Sequence, residues 1–97
     1  MPDPRTFHVY IVTGSSLSRV LYVGVTSNLA RRIDAHRRMA LDGFTARYRL
    51  FKLVYAEAFT YVRDAIAREK QIKGWRRARK IALIERVNPG WVEISPG

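Results

Sequence analysis

The segment from Thr60 to Gly74 has the periodicity of a helix, and Glu69 is the residue that most restricts how that helix can pack. At about 100° per residue, Val62, Ala65, Ile66 and Ile72 fall on one side, and Glu69 falls inside the same arc. A carboxylate is seldom buried unless it is paired or bound to a metal. Any fold that buries this stripe must therefore supply the acid with a partner. Lys73, at i,i+4, is one candidate, in an ion pair that would help the helix by ~0.3–0.5 kcal/mol. That pair does not need to face inward, so the inward position argues for a functional carboxylate.

The acid stands in a strongly basic chain. Eighteen Lys and Arg oppose eight Asp and Glu, for a net charge of +10 over 97 residues. The basic residues cluster. Arg63, Arg68, Lys70, Lys73, Arg76, Arg77, Arg79 and Lys80 fall in 63–80, and Arg31, Arg32, Arg37, Arg38, Arg47, Arg49 and Lys52 in 31–52. Such clustering is the electrostatic signature of a phosphate-backbone partner, the alternative being a solvated surface that keeps the protein soluble. The basic helices lack an exposed Trp/Phe/Leu face, which argues against a membrane surface. No apolar run approaches the ~18 residues of a membrane span, and Met1–Arg5 is not an apolar signal segment, so a cytoplasmic location is expected. The chain has no cysteine, which excludes disulfides and thiolate metal sites. Its length suits one domain, and a hydrophobic content of 47% is too high for a disordered chain.

Phe7–Thr13 and Val20–Val25 are rich in β-branched and aromatic residues and read as two strands of a hairpin, joined by a turn at Gly14–Ser18. Ser27 or Asn28 can cap a helix running to about Ala40. Leu41–Arg49 reads as a polar loop, Leu50–Glu57 as a third strand, and Thr60–Gly74 as the helix carrying Glu69. Trp75–Val87 reads as a third helix, stopped by Asn88-Pro89-Gly90, and Trp91–Ile94 as a short strand or ordered tail. The order is ββαβαα, an α+β fold with a small three-stranded sheet flanked by helices: one domain over 1–97, with its core at about 7–87 and a tail at 88–97.

Tyr10 lies on the first strand, on the face opposite Phe7, Val9 and Ile11, and Tyr22 shares a face with Gly24 on the second. A glycine inside a strand weakens it unless something must come close to the backbone. The hairpin can therefore set two phenols near one bare stretch, although each tyrosine alone also suits simple packing. The first helix has an apolar stripe at Leu29, Ile33 and Ala40 that includes His36. Arg32 stands at its edge, one turn before His36. A histidine on an inward face is usually a hydrogen-bonded core residue; an arginine beside it suggests a shared polar pocket.

Together these residues resemble the GIY-YIG nucleases. The two short strand motifs stand here as His8-Val9-Tyr10 and Tyr22-Val23-Gly24. They are followed by Thr26-Ser27-Asn28-Leu29-Ala30-Arg31-Arg32, His36, and Ala67-Arg68-Glu69-Lys70-Gln71-Ile72-Lys73-Gly74-Trp75. His8 stands where the first motif has its glycine, Val23 replaces an isoleucine, and Val25 stands where many members carry a lysine. The resemblance implies a three-stranded antiparallel sheet flanked by helices, and phosphodiester cleavage with one divalent ion, Mg²⁺ or Mn²⁺. It implies Glu69 as metal ligand, Arg32 as catalytic arginine, and Tyr10, Tyr22 and His36 as the remaining site residues. Tyr10 would take the water proton, although a free phenol has a pKa of ~10.

The expected function is thus a metal-dependent endonuclease acting on DNA. Arg31, Arg37, Arg38, Lys70, Lys73, Arg76, Arg77, Arg79 and Lys80 are its expected nucleic-acid contacts. A protein partner could supply target specificity, since no second domain is present to choose a target. The competing reading is a non-catalytic or partner-dependent binding module of the same fold. A pure binder needs the basic clusters but not an inward acid that repels phosphate. A third reading is an adaptor that uses the tail Trp91-Val92-Glu93-Ile94.

Overall fold

Alternation along Phe7–Thr13 sends Val9 and Ile11 to one face of a strand and His8, Tyr10 and Val12 to the other, and the protein buries both faces. The structure is a computed structural model and describes residues 6–14, 20–38 and 49–96. Its elements run β1 (Phe7–Thr13), β2 (Leu21–Thr26), α1 (Leu29–Arg37), β3 (Lys52–Phe59), α2 (Val62–Lys73) and α3 (Arg77–Val87). The sheet is antiparallel in the order β2-β1-β3. This is the α+β fold expected from the sequence.

On one face Val9, Ile11, Val23, Val54 and Tyr55 pack with Ala65 and Ile72 of α2 and Ile84 of α3. On the other, Tyr10, Val12 and Leu53 pack with Leu29 and Ile33 of α1 and with Leu50. The register of β1 with β3 shifts between Ile11 and Val12, so Val54 is the extra residue. The bulge lets Val54 and Tyr55 serve the first core while Leu53 stays opposite Val12 in the second.

Element boundaries differ from the sequence reading by one or two residues at several ends. Strand β3 starts at Lys52 rather than Leu50, because Arg49 takes a positive φ of 53° and turns the chain so that Leu50 plugs the second core. At its other end the strand continues to Phe59, paired with Phe7. Helix α3 begins at Arg77, not Trp75; Trp75 and Arg76 form the connection from α2. The apolar stripe of α2 is narrower than its periodicity suggests. Ala65 and Ile72 are fully buried, whereas Val62 and Ile66 are 47% and 37% exposed. Trp91–Ile94 is an ordered tail without strand pairing; its Ile94 N–H donates to Leu53 O at 2.9 Å. Ala40, the Leu41–Tyr48 part of the loop and the Ser15–Ser18 part of the turn lie outside the described residues. Among the described residues no helix is long and apolar enough to cross a membrane.

Candidate active site

Gly24 sits opposite Tyr10 in the β1–β2 ladder, and the Tyr10 ring lies across it. A Cβ at position 24 would stand 2.5 Å from Tyr10 Oη and 2.6 Å from Cζ, inside contact distance. The bare backbone is therefore what admits the phenol, as the strand pattern suggests. Tyr22, two residues back on β2, lies on the same face, with ring centroids 6.3 Å apart.

Asn28 starts α1. Its side chain accepts from Arg31 N at 3.1 Å, and Thr26 Oγ1 accepts from Asn28 N at 3.1 Å. This start sets the helical phase: Leu29, Ile33 and His36 are buried and Arg32 stands at the edge of the stripe. His36 Nε2 lies 3.0 Å from Tyr10 Oη in a buried hydrogen bond. The imidazole also meets both tyrosine rings edge-on, at 5.6 and 5.5 Å between centroids.

Glu69 reaches this cluster from α2. It occupies the seam between Ala65 and Ile72, and its side chain is only 15% exposed. It forms an ion pair with half-exposed Lys73 at 3.2 Å. Burial pushes the Tyr10 phenol up to about 12. Arg32 pulls in the other direction, while Tyr22 and Glu69 add to the rise. Residues from β1, β2, α1 and α2 thus share one electrostatic neighbourhood. A cleft of about 340 Å³ at the start of α1, lined by Thr26, Asn28, Arg31, Arg32 and Ala35, places two guanidiniums beside it.

No group of three or more His, Asp or Glu side chains able to hold a metal occurs among the described residues. A mostly buried carboxylate with phenols nearby suits a hard cation that keeps most of its waters, as Mg²⁺ and Mn²⁺ do, better than a nitrogen- or sulfur-seeking one.

The expected nucleic-acid contacts divide into groups. Arg31, Lys70, Lys73, Arg76, Arg77 and Arg79 are exposed, and Lys80 is half-buried. Arg37 is paired with Glu93, and Arg38 with Asp34 at 2.5 Å. The sequence reading missed the grouping around Trp75. Arg79 and Arg68 lie over its ring, with their Cζ atoms 4.1 and 5.2 Å from the centroid. Arg68 is also tied to Glu57 at 3.2 Å and Gln71 at 2.7 Å. The available signal was an arginine four residues after a tryptophan.

Residues 6–82 match the GIY-YIG catalytic domain. The chain belongs to the GIY-YIG family. Among its relatives, a UPF0213 protein of Staphylococcus haemolyticus is 37% identical over 78 residues, covering 80% of this chain and 93% of the relative. One from Clostridium perfringens is 40% identical over 77 residues, covering 79% and 81%. The solution NMR structure of the UPF0213 protein BH0048 from Bacillus halodurans superimposes with a TM-score of 0.57 at 26% identity, over 89% of each chain. The GIY-YIG match spans every element of the sheet and the residues Tyr10, Tyr22, Arg32, His36 and Glu69.

Proposed function

We propose that this GIY-YIG protein is an endonuclease that hydrolyses phosphodiester bonds in DNA with one divalent ion, Mg²⁺ or Mn²⁺, held by Glu69. The observation that carries the reading is the convergence on Tyr10. Its phenol is hydrogen-bonded to His36 of α1 and feels both Arg32 of α1 and Glu69 of α2. A protein that only bound DNA would have no use for a buried acid next to a phosphate.

Arg32, always charged, binds a non-bridging phosphate oxygen and offsets the charge that grows on the phosphorane. Tyr10 Oη receives the proton of the attacking water. With a pKa of about 12 the phenol is protonated at neutral pH, so it is a poor base by itself. In the tautomer that leaves Nε2 without a proton, His36, 3.0 Å away, gives the phenolic proton an acceptor: as the water proton arrives at Oη, the phenolic proton passes to Nε2. The new phosphorus–oxygen bond forms as the bond to the leaving oxygen breaks, and that oxygen is protonated from solvent. Tyr22, against both rings, orients the water or the phosphate. The ion, when bound, supplies neutralisation of the phosphate and of the leaving oxygen. We place the protein in the cytoplasm, with a protein partner supplying its target.

Supercoiled, single-stranded and branched DNA, each with Mg²⁺ or Mn²⁺ against EDTA, test the reading. Nicking should require metal. It should be lost in Glu69→Ala and fall by about 10²–10³ in Arg32→Ala, while Glu69→Ala binds DNA as well as the wild type or better. Wild-type binding without cleavage of any substrate would instead favour the binding module, which the raised Tyr10 pKa supports.

A further inference from the structure

Helix α3 sets Arg79, Leu83 and Arg86 on one side, spaced i, i+4, i+7, so that two arginines flank a leucine. Ile84 points into the core instead. The arginine side faces α2 across a cleft of about 370 Å³, whose other walls are Arg68 and Gln71 of α2 and Trp75 of the connection. Trp75 and Leu83 pack on the Val9–Ile11 face of the sheet, whereas Tyr10 packs on the other. The cleft is therefore separate from the Tyr10–His36 cluster.

Among the described residues, three guanidiniums and no carboxylate line the cleft. Glu57 pairs with Arg68, and its carboxylate is held in turn by the Tyr55 hydroxyl at 2.5 Å. Neither Arg79 nor Arg86 has an acidic partner among the described residues. Arg79 lies flat enough on Trp75 to bring Cζ within 4.1 Å of the ring centroid. An arginine pre-set on an aromatic ring loses less side-chain freedom when it captures an anion. Its fork of N–H groups matches the oxygens of a phosphate.

We infer that this cleft binds a phosphodiester of the nucleic-acid strand, as a second contact apart from the cleavage centre. The inference rests on the reading that the substrate is a nucleic acid. Arg68 and Glu69 are consecutive on α2, so their side chains diverge by about 100° around the helix. A strand gripped by Arg68, Arg79 and Arg86 therefore crosses α2 beside the carboxylate, and the cleft sets which phosphate reaches Glu69.

The chain has two tryptophans. In a Trp91→Phe background Trp75 fluorescence reports from the cleft alone. Titration with a short oligodeoxynucleotide, without metal, should change that fluorescence saturably, and added salt should weaken the effect. Arg79→Gln with Arg86→Gln should weaken binding tenfold or more at low salt. It should also flatten the dependence of log Kd on log salt by about one to two units, at ~0.9 per phosphate contact. Arg79→Lys with Arg86→Lys, which keeps the charge, should restore most of the slope, and circular dichroism checks that each variant folds. Binding with silent Trp75, or an unchanged slope in the glutamine pair, overturns the inference. So does an equal response to inorganic phosphate or to a polyglutamate peptide. Cleavage with silent Trp75 sinks the cleft alone. A Trp75 response without cleavage supports the cleft and sinks only the nuclease reading.

Discussion

Gly24 and Tyr10 form one functional unit although they lie on different strands. Because a Cβ at 24 would fall 2.5 Å from the phenolic oxygen, Gly24→Ala must push the Tyr10 ring off its hydrogen bond with His36. We expect a loss of about 1–3 kcal/mol in stability and a loss of cleavage well beyond what that destabilisation accounts for. Chemical denaturation and a nicking assay on the same preparation measure the two effects. Burial also gives Tyr10 a second consequence, which it shares with Tyr55. Both phenols are raised to about 12, Tyr55 by burial and by its bond to Glu57. In the unfolded chain they ionise near 10, so between pH 10 and 12 the unfolded state has lost protons that the fold keeps. The stabilisation is complete below pH 10 and disappears as pH rises to 12. Melting temperature should fall across that window, and phenolate absorbance should appear together with unfolding. Tyr10→Phe and Tyr55→Phe should each make the fall shallower.

Helix α2 joins the two ends of the chemistry. Its buried seam, Ala65 and Ile72, anchors it on the sheet, and Glu69 lies on that seam. The tail is held against β3 and α3. The Asn88 amide donates to Val54 O at 3.0 Å and to Val92 O at 2.9 Å, and its oxygen accepts from Val92 N at 3.0 Å. One side chain thus ties α3, β3 and the tail together. Asn88→Ala should cost about 1–3 kcal/mol and speed amide exchange at residues 92–94 while α1 stays protected, as hydrogen exchange can show. Element types were legible in the sequence because their signals are local: β-branched runs for the strands, Asn28 for the start of α1, and Asn88-Pro89-Gly90 for the end of α3. The start of β3 was not, since Leu50 is as apolar as a strand residue and only the turn at Arg49 diverts it into the second core.

Across the whole molecule the excess of ten positive charges is not uniformly available. Arg37 and Arg38 are engaged with Glu93 and Asp34, whereas Arg76 and Arg77 have no acidic partner among the described residues. Surface ion pairs are weak, but each must be given up before its arginine can neutralise a phosphate. Replacing Arg76 and Arg77 by glutamine should flatten the salt dependence of DNA binding by about two units at ~0.9 per contact. The same change at Arg37 and Arg38 should flatten it by less than one. Fluorescence anisotropy over a range of salt concentrations compares the two pairs, and equal slopes would refute the distinction.

The sequence by itself determined the class of fold, the faces of the first two strands, the spacing that sets Arg32 one turn before His36, and the inward side of α2 that holds Glu69. Each of these follows from the pleat of a strand or the pitch of a helix, which act within a few residues. Only the tertiary structure decided that Tyr10 lies over Gly24 and against His36, that Val62 and Ile66 stay exposed, and that two arginines meet on Trp75. Those outcomes depend on which elements pack together and at what distance. The elevated pKa of Tyr10 belongs with them, because burial is a property of the packed molecule that no single segment carries.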